Sequence, residues 1–177
     1  CSDMVYYEKF KKAFGTAFEI KEIGNLEFIL QMKVSRTPNS ISISQQLYIE
    51  DLADQYGLVD AKPKHTPFPA NFKYDSVDFT KSNPEEWFPF RNLIGALFWL
   101  ARKSRPDIFW YVVFLSQFLH CHDAVKWYLA KHVLKYLITT KHFVLKFTKA
   151  SDGNLKLHAY CDSDWASNVL DRKSYSG

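Results

Sequence analysis

The sequence predicts an α+β fold, in the order β-hairpin, helical bundle, strands. Three observations support it. Ile41 and Ile43 alternate with Ser beyond Arg36-Thr-Pro-Asn39, opposite a second apolar-rich run from Phe28 to Val34. Apolar residues then recur at three and four positions between Phe90 and Leu137, the spacing of helices with one buried face. Strand-like sequence returns from His142 to Thr148 and from Leu155 to Asp162.

Composition narrows the class. With 177 residues and 47% hydrophobic content, the chain has enough apolar side chains for a core. Fifteen Phe, ten Tyr and five Trp set it apart from disordered chains, which are poor in aromatics. No apolar run approaches about twenty residues, so no membrane-spanning helix is expected. Cys1, Cys121 and Cys161 are odd in number and form no CxxC pair, which points away from a disulfide framework and from zinc. A reducing, intracellular setting without secretion is therefore expected. Because it opens at Cys1 without an initiator Met or a signal segment, the chain is expected to be either a processed product or a fragment.

The net charge of +4 is unevenly spread. Residues 91–146 carry nine Lys or Arg against two Asp or Glu, whereas residues 1–90 carry ten against thirteen. Such a basic segment either forms the solvated faces of helices or meets a polyanion.

The elements follow in order. Pro38 and Asn39 supply turn chemistry for a hairpin between Phe28–Val34 and Ser40–Ser44. Ser44 can cap a helix from Gln45 to Tyr56, with Leu47, Tyr48, Leu52 and Tyr56 on one face and Gly57 closing it. Five prolines between Pro63 and Pro89 predict a long surface connection. A helix over Phe90–Lys103 is expected to end at Ser104-Arg105-Pro106. The next starts there, because Pro fits a first helical turn and Asp107 suits its positive end. Tyr111, Phe114, Leu115 and Phe118 mark its apolar side. Asp123 can cap a third helix, with Trp127, Ala130, Leu134 and Leu137 inward and Lys131, His132 and Lys135 elsewhere. His142–Thr148 and Leu155–Asp162 are then expected as strands around a Ser151-Asp-Gly-Asn154 loop.

Seven blocks carry a family resemblance when taken in order. They are Gln45-Gln-Leu-Tyr48-Ile, Thr66-Pro-Phe, Phe90-Arg-Asn-Leu-Ile-Gly95-Ala-Leu, Ser104-Arg-Pro-Asp-Ile108, Val133-Leu-Lys-Tyr136-Leu, Tyr160-Cys-Asp-Ser-Asp-Trp165-Ala and Arg172-Lys-Ser-Tyr-Ser-Gly177. Their order and spacing over residues 10–177 resemble the reverse transcriptase of copia-type LTR retrotransposons. The resemblance implies three parts. Residues 1–44 would be the end of the polymerase palm, and residues 45–140 a helical thumb and connecting region with a Pro-rich link at 60–89. Residues 141–177 would open an RNase H-like α/β domain that the chain leaves incomplete.

The resemblance also implies chemistry. Polymerisation in the family uses a Tyr-x-Asp-Asp turn, and this chain has none. RNase H hydrolysis uses several carboxylates around two Mg2+ ions. Of these acids the chain would supply Asp162, with Asp164 a weaker metal ligand. The thumb would lie on the backbone of an RNA–DNA or DNA duplex, with Arg102, Lys126, Lys131 and Lys135 meeting phosphates. The remaining partner is the rest of the Pol polyprotein, with no membrane and no small-molecule cofactor. A second reading is a retained, non-catalytic nucleic-acid-binding module. Gln31 stands where the family has Gly beside the primer strand, which puts primer gripping in doubt. Trp87, Trp99, Trp110 and Trp127 are expected to pack, not to stack bases. His120-Cys121-His122 is not expected to bind metal, since consecutive helical residues diverge by about 100°. Arg105 and Asp107 are expected to pair locally.

Overall fold

The computed structural model describes residues 3–21, 24–73, 77, 88–150 and 159–161. Helix α1 (Met4–Ala17) opens the chain, followed by strands β1 (Phe28–Ile29), β2 (Met32–Thr37) and β3 (Ser40–Ser44). Helices α2 (Gln46–Gln55), α3 (Phe90–Lys103), α4 (Phe109–Ser116) and α5 (Ala124–Thr139) come next, and β4 (Leu145–Thr148) follows them. A single 3-10 turn, Pro106–Ile108, joins α3 to α4.

α1 corrects the expectation of a strand-rich start. Asp3 caps it by accepting from the Val5 and Tyr6 backbone amides, at 2.9 and 3.4 Å. No residue of α1 is buried, and Phe10, Phe14 and Phe18 stack along one exposed side.

The hairpin forms with the expected turn but with an added break. Leu30 and Gln31 take positive φ, +48° and +63°, which folds Phe28–Ile29 back onto Met32–Lys33. What reads as one strand from Phe28 to Val34 is therefore two strands around a tight turn. Left-handed backbone costs a residue with a Cβ about 1–2 kcal/mol, which Gly avoids. A Gly is thus favoured at position 31 by turn geometry alone. Gln31→Gly should raise stability to urea by about 1 kcal/mol, whereas an unchanged or lower midpoint would count against this turn.

β4 alters the expected division of the chain. It pairs antiparallel with β3, with Ile43 opposite Leu145 and Ile41 opposite Phe147, so the sheet order is β1-β2-β3-β4. A boundary at residue 141 therefore separates strands that share one sheet. Apolar residues meet apolar residues in this register, which explains the choice of partner. Of the second expected strand, Leu155–Asp162, residues 159–161 carry no strand and the rest lie outside the described residues.

The core sits among the helices. Leu93, Ile94, Leu97 and Leu100 of α3 pack with Val112 and Leu115 of α4 and with Leu129, Val133, Leu134 and Leu137 of α5, all fully or almost fully buried. α2 contributes Ile49, Leu52 and Ala53. Leu47, expected on its inner face, is exposed. Gly57 closes this helix with φ +62°, as its sequence position suggests.

The Pro-rich segment is not only a surface connection. Phe68 is buried and meets Tyr111 at 4.9 Å and Phe72 at 5.0 Å between ring centroids, and Val77 is also buried. Among the described residues no helix is long and apolar enough to cross a membrane.

Candidate nucleic-acid interface

Asp123 starts the helix that carries most of the basic candidates. Its carboxylate accepts from the Val125 and Lys126 amides at 3.1 and 3.0 Å, which fixes where α5 begins. With that start set, Leu129, Ala130, Val133, Leu134 and Leu137 turn inward. Lys131 and Lys135 fall one turn apart on the opposite, half-exposed side. Lys131 Nζ lies 5.3 Å from the centre of the Trp127 ring, so its stem rests on an aromatic surface while its head stays near water.

Lys126 must be withdrawn from the phosphate-contacting set. It is 0% exposed, and its Nζ donates to the Cys121 carbonyl at 2.6 Å, with the Asp123 carboxylate at 3.6 Å and the Phe118 ring at 5.0 Å. The reason lies in helical geometry. Position 126 is three and four residues before the buried Leu129 and Ala130, so it points into the bundle. Its ammonium then closes the loop before α5 instead of meeting a ligand.

Arg102 is exposed in the last turn of α3, beside Lys103, whose Nζ sits 5.0 Å over Trp99. Trp99 and Trp127 are half-buried packing residues. Trp110 departs from that expectation: it is 52% exposed, although its ring stacks on Phe114 at 5.8 Å. Trp87 lies outside the described residues.

Lys64 is absent from the sequence-based set, yet the fold brings it to α5. Its backbone amide donates to the Thr139 hydroxyl at 2.9 Å, which ties the Pro63–Pro67 loop to this helix. The signal available in the sequence is the basic Lys-His pair held between two prolines. Both Lys64 and Lys135 lie near enough to His132 to act on its charge.

His132 is a second correction. It does not point to solvent but is 4% exposed, with only the Thr66 backbone close enough to its ring to act as a weak, poorly aligned hydrogen-bond partner. Burial, and after it Lys64 and then Lys135, push its pKa below the ordinary histidine value, while the Thr66 backbone acts the other way. The folded chain therefore holds fewer protons than the unfolded chain just below pH 6.5. Stability is present above that pH and falls as acid is added. His132→Leu should flatten the decline in unfolding free energy between pH 7 and 5 by up to about 1.4 kcal/mol per pH unit. An unchanged decline in the variant would show that another group sets it.

A buried lock holds α3 and α5 in register. Arg105, 2% exposed, donates to both Asp107 carboxylate oxygens at 3.0 and 2.7 Å, to the Thr140 carbonyl at 3.1 Å and to the Thr140 hydroxyl at 2.7 Å. The Tyr136 hydroxyl donates to the same carboxylate at 2.8 Å. Burial would raise the Asp107 pKa, but hydrogen bonds from Arg105 and Tyr136, with the Arg105 charge, hold it below the usual range. The expected Arg105–Asp107 pair is present and reaches further than a local turn.

His120, Cys121 and His122 take separate partners. Arg91 binds the His120 ring at 3.2 Å, His122 stacks on Phe90 at 5.1 Å, and the Cys121 carbonyl accepts from Lys126. Among the described residues no three His, Cys, Asp or Glu side chains come together to hold a metal ion. Asp162 and Asp164 lie outside the described residues, so no geometry attaches to either.

The chain aligns at 33% identity over 177 residues, 99% of its length, with the retrovirus-related Pol polyprotein from transposon RE2 of Arabidopsis thaliana. The corresponding polyprotein from transposon TNT 1-94 of Nicotiana tabacum is 31% identical over 96% of the chain. The chain belongs to the copia-type retrotransposon Pol polyproteins. It spans only 12% and 13% of these two copia-type polyproteins. An uncharacterized mitochondrial protein of Arabidopsis thaliana is 33% identical over 92% of the chain, which spans 65% of that protein. No protein-family model and no solved structure matches the chain.

Proposed function

We propose that this piece of a copia-type Pol polyprotein is the primer-template-binding portion of its reverse transcriptase. The observation that carries the reading is the solvent side of α5. There Lys131 and Lys135 stand one turn apart over a rigid core, with Lys64 brought alongside and Arg102 exposed on α3. Cations held this way contact phosphate oxygens without reading bases, which suits a protein that must move along any sequence. The Arg105 lock supports the role by holding α3 and α5 as one body.

In this reading residues 1–44 close the palm and residues 45–140 form the thumb and connecting region. Residues 141–177 lead into RNase H, although β4 belongs to the palm-side sheet. The Leu30–Gln31 turn would approach the primer strand. Asp162 would be the first RNase H acid, and Mg2+ would supply the hydrolytic chemistry once the other acids of the polyprotein are present. The described residues alone offer that ion no site, so no step is assigned to it.

A second reading is favoured by one comparison. A relative of which the chain spans 65%, against 12% of a polyprotein, indicates that this portion also occurs in much shorter proteins. Such a protein would be a retained binding module without catalysis. Both readings require binding to nucleic-acid backbone, which an RNA–DNA hybrid titrated against salt tests directly. Hybrid cleavage by the chain joined to its downstream polyprotein sequence, with loss in Asp162→Asn, separates them in favour of the enzyme.

A further inference from the structure

Residues 63–69, Pro-Lys-His-Thr-Pro-Phe-Pro, lie on α5 as a strap with two anchors. One is the Lys64 amide, which donates to the Thr139 hydroxyl at 2.9 Å. The other is Phe68, 4% exposed and seated among the rings of Phe72, Tyr111 and Phe114. The three prolines have no amide hydrogen, so they can donate nothing to hold the strap down. A single hydrogen bond is a weaker tie than a buried ring. The Lys64–Thr66 half is therefore the part that can lift while Phe68 stays in place.

His132 lies beneath that half, with both ring nitrogens shut off from water. The Thr66 backbone lies beside the ring without satisfying it, and Tyr128 meets it edge-on at 6.1 Å. The charges that act on the ring are Lys64 of the strap and Lys135 of its own helix, both positive. Neither residues 63–69 nor α5 contains an Asp or Glu. Asp107 is held by Arg105 and Tyr136, and His65, the strap's other titratable ring, is exposed. An imidazolium under the closed strap would thus sit out of water beside two cations, with no acid acting on it. Lifting Lys64–Thr66 is the smallest movement that lets water reach it.

We propose that His132 is a proton-operated latch: neutral, it lets Lys64–Thr66 lie on α5, and protonated, it lifts them. Because Lys64 rides on the strap, acid withdraws it from the basic side of the helix; this consequence, unlike the latch itself, rests on the nucleic-acid reading above. With the strap open the ring meets water and titrates at the ordinary histidine value, whereas closed it holds its proton less readily. Below about pH 6.5 each pH unit then multiplies the open population by up to ~10, until the closed value is reached.

Exchange of the Lys64 amide with solvent, followed by NMR in the intact chain and corrected for its intrinsic pH dependence, tests the latch. Between pH 7 and 5.5 its protection should fall several-fold, by up to about 8-fold, while the Leu97 and Leu134 amides of the core helices keep theirs. H132L should abolish the fall, and H132Q should do the same, which guards against a packing defect in either variant. H65Q should leave it in place. Lys64 protection that is insensitive to acid, that falls equally in both His132 variants, or that falls only together with Leu97 and Leu134 would overturn the latch. Adding an RNA–DNA hybrid at pH 5.5 should restore Lys64 protection by holding the strap closed. If the free chain behaves as stated and the hybrid restores nothing, the latch stands and Lys64 is no part of the binding surface.

Discussion

Arg105→Ala should lower the unfolding free energy by about 3 kcal/mol and the melting temperature by roughly 6–12 °C. The side chain makes four hydrogen bonds from a buried position; its removal takes from Asp107 Oδ1 its Arg105 donor and from the Thr140 carbonyl one of two, the other coming from the Phe143 amide at 3.0 Å. The low end of the range for breaking a buried pair applies, because Asp107's side chain is 36% exposed. Arg105→Lys should recover only part of the loss, since an ammonium cannot reproduce the planar fork. Asp107 adds a pH dependence of known sign. Its folded pKa is lowered, so its contribution is complete above the ordinary carboxylate range and disappears as pH falls through the folded value. Thermal melts of the two Arg105 variants at neutral pH check the account. A fall of less than about 2 °C in Arg105→Ala would show that the lock does not hold the bundle.

Charge reversal on α5 is the second large effect expected. K131E/K135E should reduce affinity for an RNA–DNA hybrid by ten-fold or more in low salt. Losing two phosphate contacts should also reduce the salt slope by about 1.4–1.8. Lys126→Gln supplies a contrast within the same helix. Its ammonium is used inside the protein, so this substitution should lower stability while leaving the salt slope unchanged. Fluorescence anisotropy with a labelled hybrid, read beside a melt, separates the two outcomes. An equal loss of slope in both variants would mean that general loosening, not lost phosphate contact, weakens binding.

Local signals in the sequence were the reliable ones. The bounds of α3 and the Asp123 cap can be read from residues within one turn of the feature they set. The same holds for the Ser-Arg-Pro-Asp junction. α1 was not legible, because its Tyr and Phe residues suit strands as well as helices and no core contact disciplines their spacing. Long-range choices were hidden too. Nothing near Leu145 indicates that its partner is Ile43, and nothing near Lys64 indicates that it will lie by His132 and Thr139 of α5. Lys126 failed for a different reason: a basic residue invites a ligand, but its place on the helix wheel already pointed inward. Family membership came through most clearly, since ordered sequence blocks survive without knowledge of any contact.

The central claim is that the basic side of this bundle binds nucleic-acid backbone, and the affinity of the unaltered chain for an RNA–DNA hybrid across a salt series tests it most directly. Log affinity should fall linearly with log salt, with a slope of at least about 2 in magnitude that shrinks in K131E/K135E. Affinity that does not change with salt, or a slope that the double reversal leaves intact, would contradict it.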